Sequence, residues 1–89
     1  FVHRGNILDL KNYSGDPWQI PDRTTVEKMV KAFTNTPKAY TLDVAVLRNG
    51  QTAVIEVHNF ISCGLYGFTS PKLLLMYCDG IYFELEQKM

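Results

Sequence analysis

The dipeptide Asn49-Gly50 separates two runs of alternating character, Thr41 to Arg48 and Gln51 to His58, and constrains the fold more than any other stretch. A two-residue type I′ turn requires φ > 0 at both central positions, which Asn-Gly tolerates best. Counting outward from that turn pairs Arg48 with Gln51, Val46 with Ala53, Val44 with Ile55, Asp43 with Glu56, Leu42 with Val57 and Thr41 with His58. Strand side chains alternate between faces, so Leu42, Val44, Val46, Ala53, Ile55 and Val57 make one apolar face, the expected core side. The opposite face carries Ala45 and Val54 near the turn, then Thr41, Asp43, Glu56 and His58 at the open end. Two carboxylates directly across a strand pair lie about 5 Å apart at Cβ, where like charges repel. A divalent cation, a shared proton or an intruding Lys or Arg would relieve this, and an oxygen-rich pair suits Mg²⁺.

The remaining sequence predicts a second hairpin and two helices. Phe1 to His3 and Ile7 to Tyr13 flank the polar link Arg4-Gly5-Asn6, the pattern of a hairpin. Ser14-Gly15-Asp16-Pro17 and the following Pro21 make a loop, with Trp18 and Ile20 expected to pin it to the core. Thr24 with Glu27 three residues on matches a capping box, and Val26, Met29, Val30 and Phe33 recur at helical spacing up to Thr36-Pro37. Ser70-Pro71 marks a second helix start. Leu73 to Tyr77 is apolar nearly all round, which predicts burial or a docked partner. Asp79-Gly80 is expected to punctuate that helix, leaving Ile81 to Glu86 as resumed helix or short strand. The sum is an α+β domain, an antiparallel sheet of two hairpins with helices packed on one face, the apolar one.

Eighty-nine residues allow one small domain, 1–89, without an internal boundary, and the start at Phe1 suggests a fragment of a larger module. Nine basic and nine acidic residues give zero formal charge, so no polyanion-attracting field is expected and nucleic acid is not favoured as a partner. No apolar run is long enough to imply a membrane span. Cys63 and Cys78 form neither a zinc motif nor a disulfide framework, which points to a reduced, cytoplasmic setting. Cys63 near His58 has nothing to orient it as a nucleophile and is expected to be a small buried residue of a glycine loop.

Leu-Asp-Val-Ala-Val around Asp43, the hairpin, and Ile-Glu-Val-His-Asn leading into a glycine-containing loop together resemble the metal-binding end of the ATP-grasp fold. The likeness is greatest to the ATP-grasp domains of phage and bacterial proteins of unassigned substrate. It implies ATP and Mg²⁺ as cofactors: an Asp on one strand and a Glu-x-Asn on the next hold Mg²⁺ against the ATP phosphates. It also implies ligation of a carboxylate, on a small molecule or a peptide, to an amine through an acyl phosphate. By position, Asp43 and Glu56 match the two carboxylates. Position 58 departs from the pattern, because the common Asn is His58 here with Asn59 beside it. The third ligand is therefore His58 or Asn59, the latter if the strand ends or bulges at His58. Arg4 and Lys11 of the first hairpin resemble residues on strands that approach the phosphates. On this resemblance the chain is a C-terminal, ATP-grasp-like subdomain, and an N-terminal ATP-grasp subdomain with the adenine clamp and phosphate lysine precedes Phe1. Asp, twelve intervening residues and Glu-x-His also resemble the metal-dependent nuclease core of Asp…Glu-x-Lys pattern. There His58 replaces the lysine poorly, and a neutral chain lacks the basic face that DNA binding needs. A non-catalytic interaction domain is the third class.

Overall fold

A computed structural model describes residues 1–88. Its elements are β1 (Val2–His3), β2 (Asn6–Ile7), α1 (Arg23–Ala32), β3 (Ala39–Val46), β4 (Thr52–Asn59), a 3₁₀ turn (Phe60–Ser62) and α2 (Leu73–Lys88). The strands form one antiparallel sheet in the order β2-β1-β3-β4, so the α+β class and the two hairpins are as the sequence predicts. The first hairpin is shorter than expected, since Leu8 to Tyr13 leaves the sheet. Its link has φ of 49° at Arg4 and 82° at Gly5, the left-handed pair that a type I′ turn needs.

The second hairpin closes differently from the predicted turn. Gly50 N–H donates to Leu47 C=O and Leu47 N–H to Gln51 C=O, each at 2.8 Å, and only Gly50 has a positive φ, 85°. This is a three-residue loop, a type I turn followed by a left-handed glycine. The added loop residue shifts the nearby register by one, giving Val46↔Thr52, Ala45↔Ala53 and Val44↔Val54. A β-bulge then leaves Ile55 as an extra residue on β4 and shifts the register back to Asp43↔Glu56, Leu42↔Val57 and Thr41↔His58. The two shifts cancel before they reach the carboxylates. They do exchange two positions on the stripe, placing Val54 beside Val44 and Ala53 on the side of Asp43.

The core lies beside the predicted apolar stripe. Val30 of α1 packs with Val2 and Tyr40, while Met76 of α2 packs with Ala39, Phe60 and Phe68. Ala39 and Tyr40 are successive strand residues and point to opposite sides, so α1 and α2 are divided between the two sides of the sheet instead of sharing one face. Ile55 and Val57 stay exposed. Phe1 stacks on Phe68 at a centroid distance of 4.1 Å and meets Phe60 edge-on at 6.3 Å. Each fully buried side chain of this size contributes about 1.5–3 kcal/mol.

Asp22, and not Thr24, caps α1. Its Oδ2 accepts from Thr25 N–H at 2.9 Å and from the Thr25 hydroxyl at 2.7 Å, and these bonds hold the Asp22 carboxyl below its ordinary range. Glu27 instead accepts from Arg23 Nε, one turn earlier, at 2.8 Å. Asp22→Ala is therefore expected to lower the melting temperature followed by circular dichroism at neutral pH, whereas Thr24→Ala leaves it nearly unchanged. Asp22 N–H also donates to Thr52 Oγ1 at 2.9 Å, tying the 8–22 loop to β4. Trp18 and Ile20, expected as anchors, are 86% and 69% exposed and do not pin it.

The start of α2 is as predicted, with the Ser70 hydroxyl accepting from Lys72 N–H at 3.1 Å. Asp79-Gly80 does not break the helix, which runs on to Lys88. Gly80 is buried where α2 crosses the end of β4: a Cβ there would lie 2.6 Å from Asn59 Oδ1 and 2.9 Å from Ile61 Cγ2. The glycine permits close approach, while Leu74, Ile81, Tyr82 and Leu85 of the same helix remain exposed.

Candidate metal centre

Asp43 on β3 and Glu56 on β4 are direct cross-strand partners, and His58 lies two residues beyond Glu56 on the same face. His58 Nε2 is 3.3 Å from Asp43 Oδ2 and 3.1 Å from Glu56 Oε2. One ligand atom from each of the three residues lies within 4.8 Å of the others. Among the described residues, neither carboxylate forms an ion pair with a lysine or arginine. The repulsion expected from the sequence is thus met by an imidazole between the acids.

Two neighbours refine this geometry. The Tyr13 hydroxyl donates to Asp43 Oδ2 at 3.4 Å. The Asp43 charge, followed by burial, raises the phenol's pKa, so Tyr13 remains a protonated donor at neutral pH. Its ring also lies 5.5 Å from that of Tyr66 in the glycine loop. Thr41, opposite His58, is 7% exposed, and its hydroxyl makes no hydrogen bond of ordinary geometry. An unpaired buried hydroxyl costs about 1–3 kcal/mol, a cost that the hydration shell of a nearby cation can relieve.

β1 pairs with β3 only at Ala39 and Tyr40. Beyond that pairing, a cleft of about 570 Å³ opens between β3 and the loop of residues 9–21, lined by Lys11, Tyr13 and Asp43 among others. Lys11 thus shares a cleft with Asp43, although its Nζ lies 3.4 Å from Asp9 Oδ2.

Arg4 and Asn59 are engaged elsewhere. Asn59 Nδ2 donates to Gly80 C=O and Glu84 Oε1, each at 3.0 Å, while its Oδ1 accepts from Ile61 N–H at 3.3 Å. Arg4 grips Asp79 through Nε to Oδ2 at 3.1 Å and Nη2 to Oδ1 at 3.2 Å, and His3 Nε2 meets the same carboxylate at 2.8 Å. The Arg4 bonds, aided by His3 and opposed by burial, hold the Asp79 carboxyl below its ordinary range. A depressed carboxyl stabilises the fold fully above the unfolded value, about 3.9, and that contribution is lost as pH falls through the lower folded value. Melting curves from pH 7 to pH 2 should therefore show an acid-side loss below about pH 4 that is smaller in Asp79→Asn. Asp22 contributes to the same limb in both proteins.

Cys63 matches its structural expectation. Its thiol donates to Phe60 C=O at 3.1 Å, and burial, with the Asp43 charge acting in the same direction, pushes the thiol pKa up against the opposing pull of the Thr41 hydroxyl. Cys63 and Cys78 are both free thiols. Sequence reasoning missed Tyr13, because no local pattern shows that the chain after Leu8 leaves the sheet and returns past Asp43.

Two carboxylate oxygens and one imidazole nitrogen, convergent and without a competing cation, are a donor set that fits a divalent metal. The antiparallel sheet with carboxylates on neighbouring strands defines an ATP-grasp type of domain. More narrowly, the profile of an ATP-grasp domain, the second family of its clade, matches residues 1–76, and the chain belongs to that family. The match spans Asp43, Glu56 and His58 and ends within α2. No curated protein and no solved structure matches the chain. Among the described residues, no helix is long and apolar enough to cross a membrane.

Proposed function

We propose that this chain supplies the cation-holding end of an ATP-dependent ligase that joins a carboxylate, on a small molecule or peptide, to an amine. The observation that carries this is the convergence of Asp43, Glu56 and His58 on the sheet face of an ATP-grasp family member. Mg²⁺, the ion implied by the family, would neutralise phosphate charge during phosphoryl transfer. Asp43 and Glu56 hold the cation, and Tyr13 fixes the Asp43 carboxylate in its rotamer. Lys11 leads the phosphates along the cleft, whereas Arg4 secures the first hairpin to α2. The adenine-holding strands come from elsewhere in the protein. Family membership and the zero net charge favour this function over the nuclease alternative.

The test is a set of melts of the intact protein with Mg²⁺, ATP and both together, followed by phosphate-release assays with a panel of carboxylates and amines. The expected result is a rise in melting temperature that requires ion and nucleotide together, of about 2.7 kcal/mol in stability at a hundredfold excess over Kd. Cleavage of double-stranded DNA with no response to ATP would overturn the ligase in favour of the nuclease.

A further inference from the structure

We infer that His58, through Nε2, is the third ligand of this centre, and that the centre consequently selects a divalent transition ion of the Mn²⁺ class over Mg²⁺. This rests on Asp43 and Glu56 being cation ligands, as proposed above, and adds the identity of the third donor and the choice of ion.

Asn59 cannot serve without dismantling a structural contact. Its amide nitrogen is committed to Gly80 and Glu84, and its carbonyl oxygen to Ile61 N–H. His58 alone remains on the correct face. Its Nε2 stands 3.3 Å from Asp43 Oδ2 and 3.1 Å from Glu56 Oε2. Two donors each about 2.2 Å from one ion and at right angles to each other are roughly 3.1 Å apart, so both separations suit adjacent positions of an octahedral shell. The ring can reach this position because residues 56 and 58 project to the same side of β4.

Donor chemistry then decides the ion. Mg²⁺ prefers an all-oxygen shell and gives up water reluctantly, and an Asn amide oxygen at position 58 would suit it. An imidazole nitrogen is a borderline donor that first-row transition ions bind more readily. Two carboxylates and the ATP phosphates keep the set hard, which favours Mn²⁺ over the ions that prefer thiolates. The Cys63 thiol is turned to the Phe60 carbonyl and is not part of the set. The unpaired Thr41 hydroxyl, directly across from His58, is placed beside a shell that retains water.

A histidine serving only as a countercharge between two acids would show the same distances, so the test must detect a metal–nitrogen bond. The intact protein is titrated with Mn²⁺ followed by its electron paramagnetic resonance, with Mg²⁺ as competitor, and the bound ion is examined by electron spin-echo modulation for ¹⁴N. Wild type should bind Mn²⁺ at least about tenfold more tightly than Mg²⁺ and show imidazole ¹⁴N modulation. His58→Asn should lose the modulation and reduce the preference to within about threefold, while Glu56→Gln weakens binding of both ions. Bound Mn²⁺ without ¹⁴N modulation, or an unchanged preference in His58→Asn, would overturn the assignment of His58 while leaving the carboxylate site standing. Failure of wild type to bind either ion would remove the site and this inference together.

Discussion

Glu56→Gln and Asp43→Asn are each expected to lower metal-dependent phosphoryl transfer by more than about a hundredfold while leaving the metal-free melting temperature level or slightly raised. The two carboxylates face each other across a strand pair, where like charges oppose the fold. An amide of the same shape removes one charge and disturbs packing little, because Glu56 is largely exposed and Asp43 lines an open cleft. The substitution also weakens a contact to His58, but exposed ion pairs are worth only about 0–1 kcal/mol, so relief and loss nearly balance. With ion and ATP present the balance changes: a hard anionic ligand is missing, and both the ligand-induced rise in melting temperature and the transfer step should fall steeply. Paired melts with and without metal and ATP, run beside a phosphate-release assay, separate the two effects. A variant that melts lower without metal and retains its full response to metal and ATP would make Glu56 a structural residue.

Gly80→Ala is expected to destabilise the protein by about 1–2 kcal/mol, a fall of roughly 5–15 °C in melting temperature for a chain of this size. Helix propensity alone predicts the opposite sign, since alanine inside a helix is favoured over glycine by about 1 kcal/mol. The new methyl group would meet Asn59 Oδ1 at 2.6 Å and Ile61 Cγ2 at 2.9 Å, both closer than van der Waals contact. Asn59 has little freedom to yield, because Gly80 C=O, Glu84 and Ile61 N–H all hold its side chain. Moving it would also break the bond that ties β4 to α2. Steric cost therefore exceeds the gain in propensity. A thermal melt measures the sum, and in an Asn59→Ala background the same substitution should cost less because one of the two obstacles is gone. An increase in melting temperature for Gly80→Ala would mean that propensity outweighs the contact between α2 and the end of β4.

Much of the site was legible in the sequence because two local errors offset each other. Asn49-Gly50 located the hairpin but not the turn type, and Ile55 gave no sign of being a bulge residue; each displaces the register by one, in opposite senses. Asp43, Glu56 and His58 consequently share a face as expected, whereas Val54 and Ala53 exchange places nearer the turn. The reading of α1 failed at its cap because Asp22 and Thr24 are both good capping residues, and the choice depends on where the 8–22 loop is tied to Thr52. Asp79-Gly80 resembles a stop signal from sequence alone. Only the approach of Asn59 and Ile61 shows why a glycine is required inside the helix. Trp18, Ile20, Ile55 and Val57 were assigned to the core on hydrophobicity, but the burial pattern follows Phe60, Phe68 and Met76, which converge from distant parts of the chain. No periodicity within one segment encodes that convergence.

The central claim is that Asp43, Glu56 and His58 hold a divalent cation against ATP, and anomalous diffraction from crystals of the intact protein grown with Mn²⁺ and a non-hydrolysable ATP analogue tests it most directly. The predicted result is a manganese peak within about 2.0–2.3 Å of Asp43 Oδ2, Glu56 Oε2 and His58 Nε2, with phosphate oxygens completing the shell. A well-ordered nucleotide whose manganese lies away from these residues, with His58 still hydrogen-bonded between the two carboxylates, would contradict it.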